Sequence, residues 1–172
     1  MQTNPSGLST RYLVIFAMLG AMMFVSRLLM MAIPNVHVLG LFIAAFTLTY
    51  RARALMPIYV FVLLDGLYQG FSIWWIPNLY VWLPLWLAFM AVGKANLTSK
   101  SRPPIYMVLC ALHGLSFGTI YAPAHALFFG LSFYGMLAWI AAGLYFDIIH
   151  AIGNFAAATL VVPLVSLLKK LD

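Results

Sequence analysis

Long apolar runs, separated by short polar connections, dominate the chain. Five of them are long enough to cross a hydrocarbon core as helices, which takes about 17–25 residues. They lie near 11–33, 54–73, 77–94, 105–131 and 135–168, and a shorter run covers 36–50. We expect all six runs to be helical and to pack into one bundle.

The basic residues are confined to alternate connections between these runs. They are Arg11 at the start, Arg51 and Arg53, then Lys94, Lys100 and Arg102, and finally Lys169 and Lys170. The other connections, "AIPNVHV", "YQGFSIWWIPN" and "GLSFYG", contain neither Lys nor Arg. Under the positive-inside rule this alternation predicts six crossings with both termini in the cytoplasm. Omitting 36–50 would place basic connections on both sides, so this short run is counted as a crossing.

The composition supports an integral membrane protein. Of the 172 residues, 65% are hydrophobic and 7% are charged, against about 25% charged in a typical soluble domain. No polar stretch is long enough for a second domain, so 1–172 is interpreted as a single membrane domain. The net charge of +6 sits in clusters at helix ends rather than in a basic stripe, which argues against a nucleic-acid partner.

Motifs for metal binding and catalysis are scarce. The single cysteine, Cys110, excludes an internal disulfide and a CxxC metal site, and there is no HExxH or HxxxH spacing. No GxSxG, phosphate-binding glycine loop or Walker motif occurs. We therefore expect no metal, no catalytic residues and no ATP hydrolysis in this chain.

Arg11 before an apolar run also suits a secretory signal, but the run is too long, so we expect a retained first span.

Four residues within the spans are costly to insert, namely Arg27, Asp65, Asp147 and His150. A charge near the bilayer centre costs about 3 kcal/mol on insertion scales, so such groups normally face the bundle interior or a wet cavity. Arg27 with one of the two aspartates suits a structural ion pair. The other carboxylate is then available to a ligand or to water.

The sixth run carries a polar stripe. Asp147, His150 and Asn154 are spaced i, i+3 and i+7 and project from one helix face. Such a stripe either forms hydrogen bonds between helices or lines a cavity, and three polar residues favour the cavity. Among the histidines, His125 lies beyond Pro123 toward the outer end of its run and is a second candidate ligand contact.

The outer connections are rich in aromatic residues. Trp74, Trp75 and Tyr80 lie in one of them, and Trp82 and Trp86 follow at the start of the next apolar run. An interfacial aromatic belt accounts for such residues, and a lid or stacking surface for a ligand is the alternative. Large rigid faces with few charges suit a flat, largely uncharged ring system.

Small residues form a flat patch on the first run. Ala17, Gly20 and Ala21 occupy positions i, i+3 and i+4. In lipid, small residues let another helix backbone approach closely. The patch therefore predicts either packing within the bundle or docking of a separate membrane protein.

Taken together, these features resemble the substrate-binding S components of energy-coupling factor (ECF) transporters. The resemblance covers essentially the whole chain: six short spans, an Ala-x-x-x-Ala at Ala17 and Ala21, and a last helix reading "GNFAAATLVVPLVSLLKK". It implies a prokaryotic cell-membrane protein that captures a vitamin or another micronutrient from outside, mainly between its last three helices. The cargo then enters the cell with the help of a coupling subunit and two ATPases. In that family Ala-x-x-x-Ala docks the coupling subunit, and ATP is used by the partners.

Three other hypotheses fit the same residues. A haem-uptake S component is an alternative, because His is present and Met occurs ten times. An intramembrane enzyme using Asp65, Asp147 and His150 is another. A third is an adaptor whose only function is helix docking.

Overall fold

The structure, a computed structural model, describes residues 9–33 and 36–171, and this part of the chain is helical without a strand. Its seven α-helices are α1 Thr10–Met30, α2 Leu39–Tyr50, α3 Leu55–Gln69, α4 Leu83–Val92, α5 Arg102–Phe129, α6 Phe133–Ala157 and α7 Val161–Leu171. Short 3₁₀ turns join α2 to α3 and α6 to α7, and another precedes α4. The prediction of an all-helical chain is confirmed for the residues described.

Four helical stretches are long and apolar enough to cross a membrane, by length and composition. They are Thr10–Met30, Leu39–Gln69, Arg102–Phe129 and Phe133–Lys170, and a shorter apolar stretch is Ile76–Val92. The chain therefore has the helices of a helical membrane protein. The second stretch contains both α2 and α3.

Arg51 separates α2 from α3. Its φ of 57° is positive, which is rare for a residue with a side chain, and no other non-glycine residue in the described part of the chain shares it. The backbone of α2 ends there, and a 3₁₀ turn over Arg51–Ala54 leads into α3. Two short helices replace one long one because the chain turns at this residue.

Contacts along α1 show that α2 and α3 run in opposite directions. Gly20 lies against Pro57 and Val60 of α3, and seven residues further along α1, Arg27 pairs with Asp65, so α1 and α3 are parallel. In contrast, the end of α2 lies beside the first half of α1, where the ring of Tyr50 is 5.2 Å from that of Phe16. The start of α2 lies beside the end of α1, since Leu39 lines one cavity together with Arg27 and Met30. Helix α2 is therefore antiparallel to both.

The remaining helices continue this alternation. Helix α4 returns toward the α2–α3 turn, where Arg51 Nη2 donates to the carbonyl of Met90 over 2.6 Å. Helices α5 and α6 are antiparallel: Gly118 and Asp147 meet at one level, while Gly114 faces Ala151 further along. Arg102 and Lys169 line a common cavity. The chain thus crosses the bundle back and forth and brings the start of α5 and the end of α7 together.

Two ends of the bundle can now be defined. The basic end holds the first residues of α1 and the last of α7, which line one groove together with Tyr50. Eight of the nine Lys and Arg residues belong to its helix ends and connections, namely Arg11, Arg51, Arg53, Lys94, Lys100, Arg102, Lys169 and Lys170. The far end holds the last residues of α1, the 70–82 segment, and the junction of α5 with α6.

Helix α2 lies at the centre of the bundle and contacts α1, α4, α5, α6 and α7. Its side chains are buried on every face, with Ile43, Ala44, Ala45 and Phe46 all at 0% exposure. A helix that is apolar all round is typical of such a position. This explains why a run of only 12 residues is kept as a helix.

Gly20 has a different role from the one that its sequence pattern suggested. A Cβ at this position would lie 2.5 Å from Val60 Cγ1 and 2.8 Å from the carbonyl oxygen of Pro57. The glycine lets α1 and α3 approach each other closely within the bundle. Its assignment to a docking surface for another subunit is therefore corrected.

Candidate functional site

Two adjacent cavities lie at the far end of the bundle. The first, of about 270 Å³, lies among α1, α2, α5 and α6 and is closed on one side by Asn78 and Trp82. The second, of about 430 Å³, lies under the segment that follows α3. Arg27, Asn78 and Phe117 line both. The cavities therefore share a wall and form one candidate site.

Arg27 and Asp65 hold the wall between α1 and α3. Arg27 Nη1 lies 2.6 Å from Asp65 Oδ1, and Gln69 Nε2 donates to both carboxylate oxygens of Asp65 at 2.9 Å. Asp65 is 1% exposed and Arg27 25% exposed. A charge this deep is normally paired and hydrogen-bonded, and Asp65 meets both conditions.

Two imidazoles lie side by side in the first cavity. The rings of His37 and His150 are 4.3 Å apart, and the ring of Phe117 lies 4.9 Å from that of His150. His37 Nδ1 and His150 Nε2 are buried without a hydrogen-bond partner within the described part of the chain. Buried polar atoms are normally bonded, so these two nitrogens offer contacts for a molecule in the cavity.

Asp147 places a carboxylate in the same cavity. Its two oxygens accept the backbone N–H of Gly118 at 3.1 and 3.2 Å. A Cβ on Gly118 would lie 2.5 Å from Asp147 Oδ2, so only glycine lets the carboxylate approach the α5 backbone this closely. Gly118 of α5 has no side chain and therefore leaves room for the carboxylate of Asp147 of α6 in this orientation.

The segment from Gly70 to Trp75 covers the second cavity. Gly70 has a φ of 88°, which glycine adopts without steric cost, and it ends α3. Trp75 Nε1 donates to the carbonyl of Val62 over 2.8 Å, and Tyr121 donates to the carbonyl of Trp74. These bonds tie the covering segment to α3 and α5.

The structure brings together half of the substrate-binding residues predicted from the sequence. Trp74, Trp75, Trp82, Asp147 and His150 line the two cavities. Asp65 stands directly behind the lining, through its ion pair with Arg27. The question of which aspartate pairs with Arg27 is thereby answered.

Trp86 and Asn154 lie away from the site. Trp86 Nε1 donates to the carbonyl of Arg51 over 3.4 Å, at the basic end. Asn154 is 1% exposed and is wedged between α2 and α5, where a Cβ on Gly40 would lie 3.2 Å from its Oδ1. Neither lines the two cavities of the far end, so these cavities give no support to the predicted substrate contact of either residue.

His125 and Tyr80 also lie outside the cavity lining, but at the far end. The ring of His125 stacks 4.5 Å from Trp139 and lies 5.4 Å from Trp74. Tyr80 donates to the carbonyl of Ile120 over 3.2 Å. Both residues therefore attach the 70–82 segment to α5 rather than face the cavities.

Several lining residues were not among the predicted contacts. The polar and aromatic ones are Arg27, His37, Gln69, Ser72, Asn78, Phe117 and Tyr121, and the others are Met30, Met31, Ile33, Val36, Leu39 and Gly70. Arg27 carried a signal, because an arginine inside an apolar run needs a partner. His37 and Asn78 lie in connections, whose path over the bundle no periodicity predicts. Phe117 lies in a long apolar run, and nothing in the sequence distinguishes it from its apolar neighbours.

The small patch on α1 divides between two surroundings. Ala17 is exposed and Ala21 is half-buried, whereas Gly20 is buried against α3. An apolar groove of about 510 Å³ lies beside this face and is lined by Val14, Met18 and Leu19, among others. Two of the three predicted docking residues thus remain accessible from outside the bundle.

Within residues 9–33 and 36–171, no group of three or more His, Cys, Asp or Glu residues is placed to hold a metal ion. The cavities are instead lined by aliphatic side chains, indoles, one phenyl and one phenol ring, imidazoles, amides, one hydroxyl, one guanidinium and one carboxylate. Such a lining suits a small organic molecule. No protein-family model, curated protein or solved structure matches this chain.

Proposed function

We propose that the chain is the substrate-binding S component of an ECF-type transporter in a prokaryotic cell membrane. It binds a vitamin-like or other micronutrient molecule at the outer side and releases it to the cytoplasm together with a coupling subunit and two ATPases. The observation that carries the proposal is the pair of joined cavities at the end of the bundle remote from both ends of the helical chain.

The proposal includes six crossings, with the basic end in the cytoplasm. Its support is the alternating direction of successive helices, together with eight basic residues at one end. By the positive-inside rule that end stays on the cytoplasmic side. The far end, with its cavities, then opens toward the outside.

The size and lining of the cavities suit a small solute. Ligand pockets usually have volumes of about 300–1,000 Å³ with mostly apolar walls and a few placed polar groups. The volumes of about 270 and 430 Å³ together fall in this range. The indoles of Trp75 and Trp82 supply flat faces, while Asp147 and His150 supply hydrogen-bonding atoms.

The docking part of the proposal rests on α1. Ala17 is exposed beside an apolar groove close to the basic end. A coupling subunit that lies in the membrane would place a helix there, because small residues permit a close backbone approach. ATP is then used by the partner subunits, and this chain needs no cofactor of its own.

The intramembrane-enzyme hypothesis has less support. It requires Asp65, Asp147 and His150 to act on one substrate. Asp147 and His150 line the first cavity, but Asp65 is engaged by Arg27 and Gln69 and is absent from the lining. A binding site therefore accounts for the arrangement better than an acid–base pair does.

Native mass spectrometry of the full chain, purified from its host in mild detergent, tests the proposal. We expect one small molecule per chain, and its mass also tests the haem hypothesis. Phe117→Ala should lose the molecule, because Phe117 lines both cavities. Leu115→Ala is the matched control on the same helix, since Leu115 is 41% exposed. Retention by both variants, or a wild-type chain that never carries a solute, would contradict the proposal.

A further inference from the structure

The two ends of the bundle differ in the sign of their charge. The whole chain has a net charge of +6, but eight of its nine basic residues belong to the basic end. The charged side chains of the far end, within the part of the chain that the structure describes, are Arg27, Asp65 and Asp147. The far end therefore contains one cationic side chain and two carboxylates.

Arg27 and Asp65 neutralise each other. Their charged groups are 2.6 Å apart, and Gln69 completes the hydrogen bonding of the carboxylate. In a medium of low dielectric constant, a pair at this distance acts on its surroundings as a dipole rather than as two charges. The positive charge of Arg27 is therefore offset by Asp65, while its remaining N–H groups still line both cavities.

Asp147 is left without a counter-ion. It is 7% exposed, and no Lys, Arg or His nitrogen lies within 4 Å of its oxygens in the described part of the chain. Its hydrogen bonds come from one backbone N–H, that of Gly118. An ionised carboxylate has about four acceptor sites, so most of its capacity remains for a molecule in the cavity.

A second, independent observation comes from His150. Its side chain is 5% exposed, it lines the same cavity as Asp147, and its Nε2 has no partner. The Nδ1 of His37, in the ring 4.3 Å away, is unpartnered too. Neutral imidazole nitrogens of this kind accept N–H donors or donate to ring nitrogens. The polar groups that line this cavity are therefore a carboxylate and two imidazoles, together with the guanidinium of Arg27, the amide of Asn78 and the unpartnered indole N–H of Trp82.

Aromatic rings form part of the walls of both cavities, and the first cavity also has aliphatic side chains such as Met30, Ile33 and Leu39. Trp82 and Phe117 line the first cavity with ring centroids 5.7 Å apart, and Trp74, Trp75 and Tyr121 line the second. The negative face of an aromatic ring attracts a cation within about 6 Å, most strongly for tryptophan. The rings and the carboxylate thus favour the same sign of charge in a ligand.

We propose that the solute of this site is a flat organic cation whose nitrogen-bound protons pair with Asp147 while its ring lies against the aromatic wall. This inference rests on the proposed function and specifies its substrate class. It also amends the expectation of a largely uncharged ring, because Asp65 offsets the charge of Arg27 and Asp147 has no cationic partner in the described part of the chain.

Three probes of nearly equal size test the inference: benzamidinium, benzamide and benzoate, which are cationic, neutral and anionic. Each is titrated into the full-length chain in detergent, with tryptophan fluorescence as the readout. Charge-assisted hydrogen bonds are about twice as strong as neutral ones. We expect benzamidinium to bind at least about tenfold more tightly than benzamide, and benzoate to bind most weakly.

Asp147→Asn should reduce the preference for benzamidinium over benzamide to less than about twofold, because the amide keeps the shape of the carboxylate but not its charge. A preference that survives in this variant would overturn the assignment to Asp147. The comparison of the three probes on the wild-type chain tests the inference even if the variant does not fold. Equal affinities, tighter binding of benzoate, or no binding of any probe would each overturn the inference.

Failure of this inference differs from failure of the proposed function. If native mass spectrometry finds a neutral or anionic solute that Phe117→Ala loses, the site binds a solute but the cation assignment is overturned. If the wild-type chain carries no solute and binds no probe, the binding function itself is lost. A retained cationic solute supports both.

Discussion

Arg27 of α1 and Asp65 of α3 form an ion pair in which Nη1 lies 2.6 Å from Oδ1, at the wall of the two far-end cavities. The pair fixes the register between two parallel helices. Because Arg27 Nη1 makes no hydrogen bond of good geometry, the contact is mainly a charge pairing. Gln69, one turn beyond Asp65, supplies the hydrogen bonds.

Asp65→Asn should lower the free energy of unfolding by about 2 kcal/mol. Breaking a buried pair by removing one partner costs about 3–5 kcal/mol, and we expect less here because Arg27 is one-quarter exposed. Denaturant titration in detergent, followed by circular dichroism, measures this. The double variant Arg27→Gln with Asp65→Asn should recover part of the loss. A double variant less stable than Asp65→Asn would contradict the pairing.

Gly20→Ala and Ala17→Leu should have opposite consequences, although the two residues are only three positions apart. The added methyl at Gly20 meets Val60 and the carbonyl of Pro57, so we expect a loss of about 1–3 kcal/mol in the free energy of unfolding. Ala17 is exposed, so the larger side chain there should leave thermal stability unchanged. Equal stability of both variants would show that α1 and α3 are not in close contact.

Ala17→Leu combined with Ala21→Leu should abolish uptake and co-purification of the coupling subunit while the isolated chain keeps its affinity for the solute. The physical reason is that the bulky side chains prevent close approach of a partner helix, and the cavities lie at the opposite end of the bundle. Affinity purification and binding in detergent measure the two effects. A simultaneous loss of solute binding would contradict the separation of the two surfaces.

Gly118→Ala should weaken solute binding at least about tenfold. A Cβ there would lie 2.5 Å from Asp147 Oδ2, so the carboxylate must leave its place in the cavity, and a misplacement of about 1 Å is costly in a bound complex. Gly143→Ala on α6 is the control, because a Cβ at Gly143 has nothing within 4 Å. Unchanged binding in Gly118→Ala would mean that Asp147 does not contact the solute.

Trp74→Ala should raise the dissociation constant about fivefold to tenfold, since base-like rings gain about 1–3 kcal/mol from stacking on an aromatic side chain and Trp74 is still 52% exposed. Tyr134→Ala is the control, as an 80% exposed aromatic in a different connection. If both substitutions have the same effect, Trp74 belongs to an interfacial belt and not to the site.

The helices could be predicted from the sequence where apolar runs are long and bounded by charges. The run at 36–50 was identified by its apolar residues and counted as a crossing because of the charge alternation, and the structure has α2 at Leu39–Tyr50. The run at 77–94 was predicted as one helix, but α4 begins only at Leu83, with Pro84 in its first turn. The run at 135–168 is divided by a 3₁₀ turn over Ala158–Leu160, because Pro163 has no N–H for the carbonyl of Thr159.

The sequence predicted which helix faces contribute to the candidate site, but not how far along each helix the site extends. Trp86 lies one turn beyond Trp82, and Asn154 one turn beyond His150, so each pair shares a face. One turn is about 5.4 Å along the axis, and over that distance the cavity ends. Spacing alone gives no information about this limit, which depends on the side chains that other helices contribute.

The patch on α1 was misjudged for a related reason. Gly20 and Ala21 are neighbours in the chain, but they point about 100° apart around the helix. One direction meets Val60 of α3, and the other leads toward the surface. The spacing correctly identified a patch of small residues on α1. Which of these residues stays accessible at the surface depends on where α3 packs.

Cysteine labelling in intact cells tests the central claim most directly, namely that the solute site faces outward and the basic end inward. The only native cysteine, Cys110, is buried at 0% exposure, so background labelling is low. Ser72 is exposed and lines the second cavity, while Ser99 is exposed in the connection between α4 and α5. We predict that a membrane-impermeant maleimide labels Ser72→Cys in intact cells, that bound solute slows this labelling, and that Ser99→Cys reacts only after permeabilisation. Labelling of Ser99→Cys in intact cells, with Ser72→Cys protected, would contradict the account.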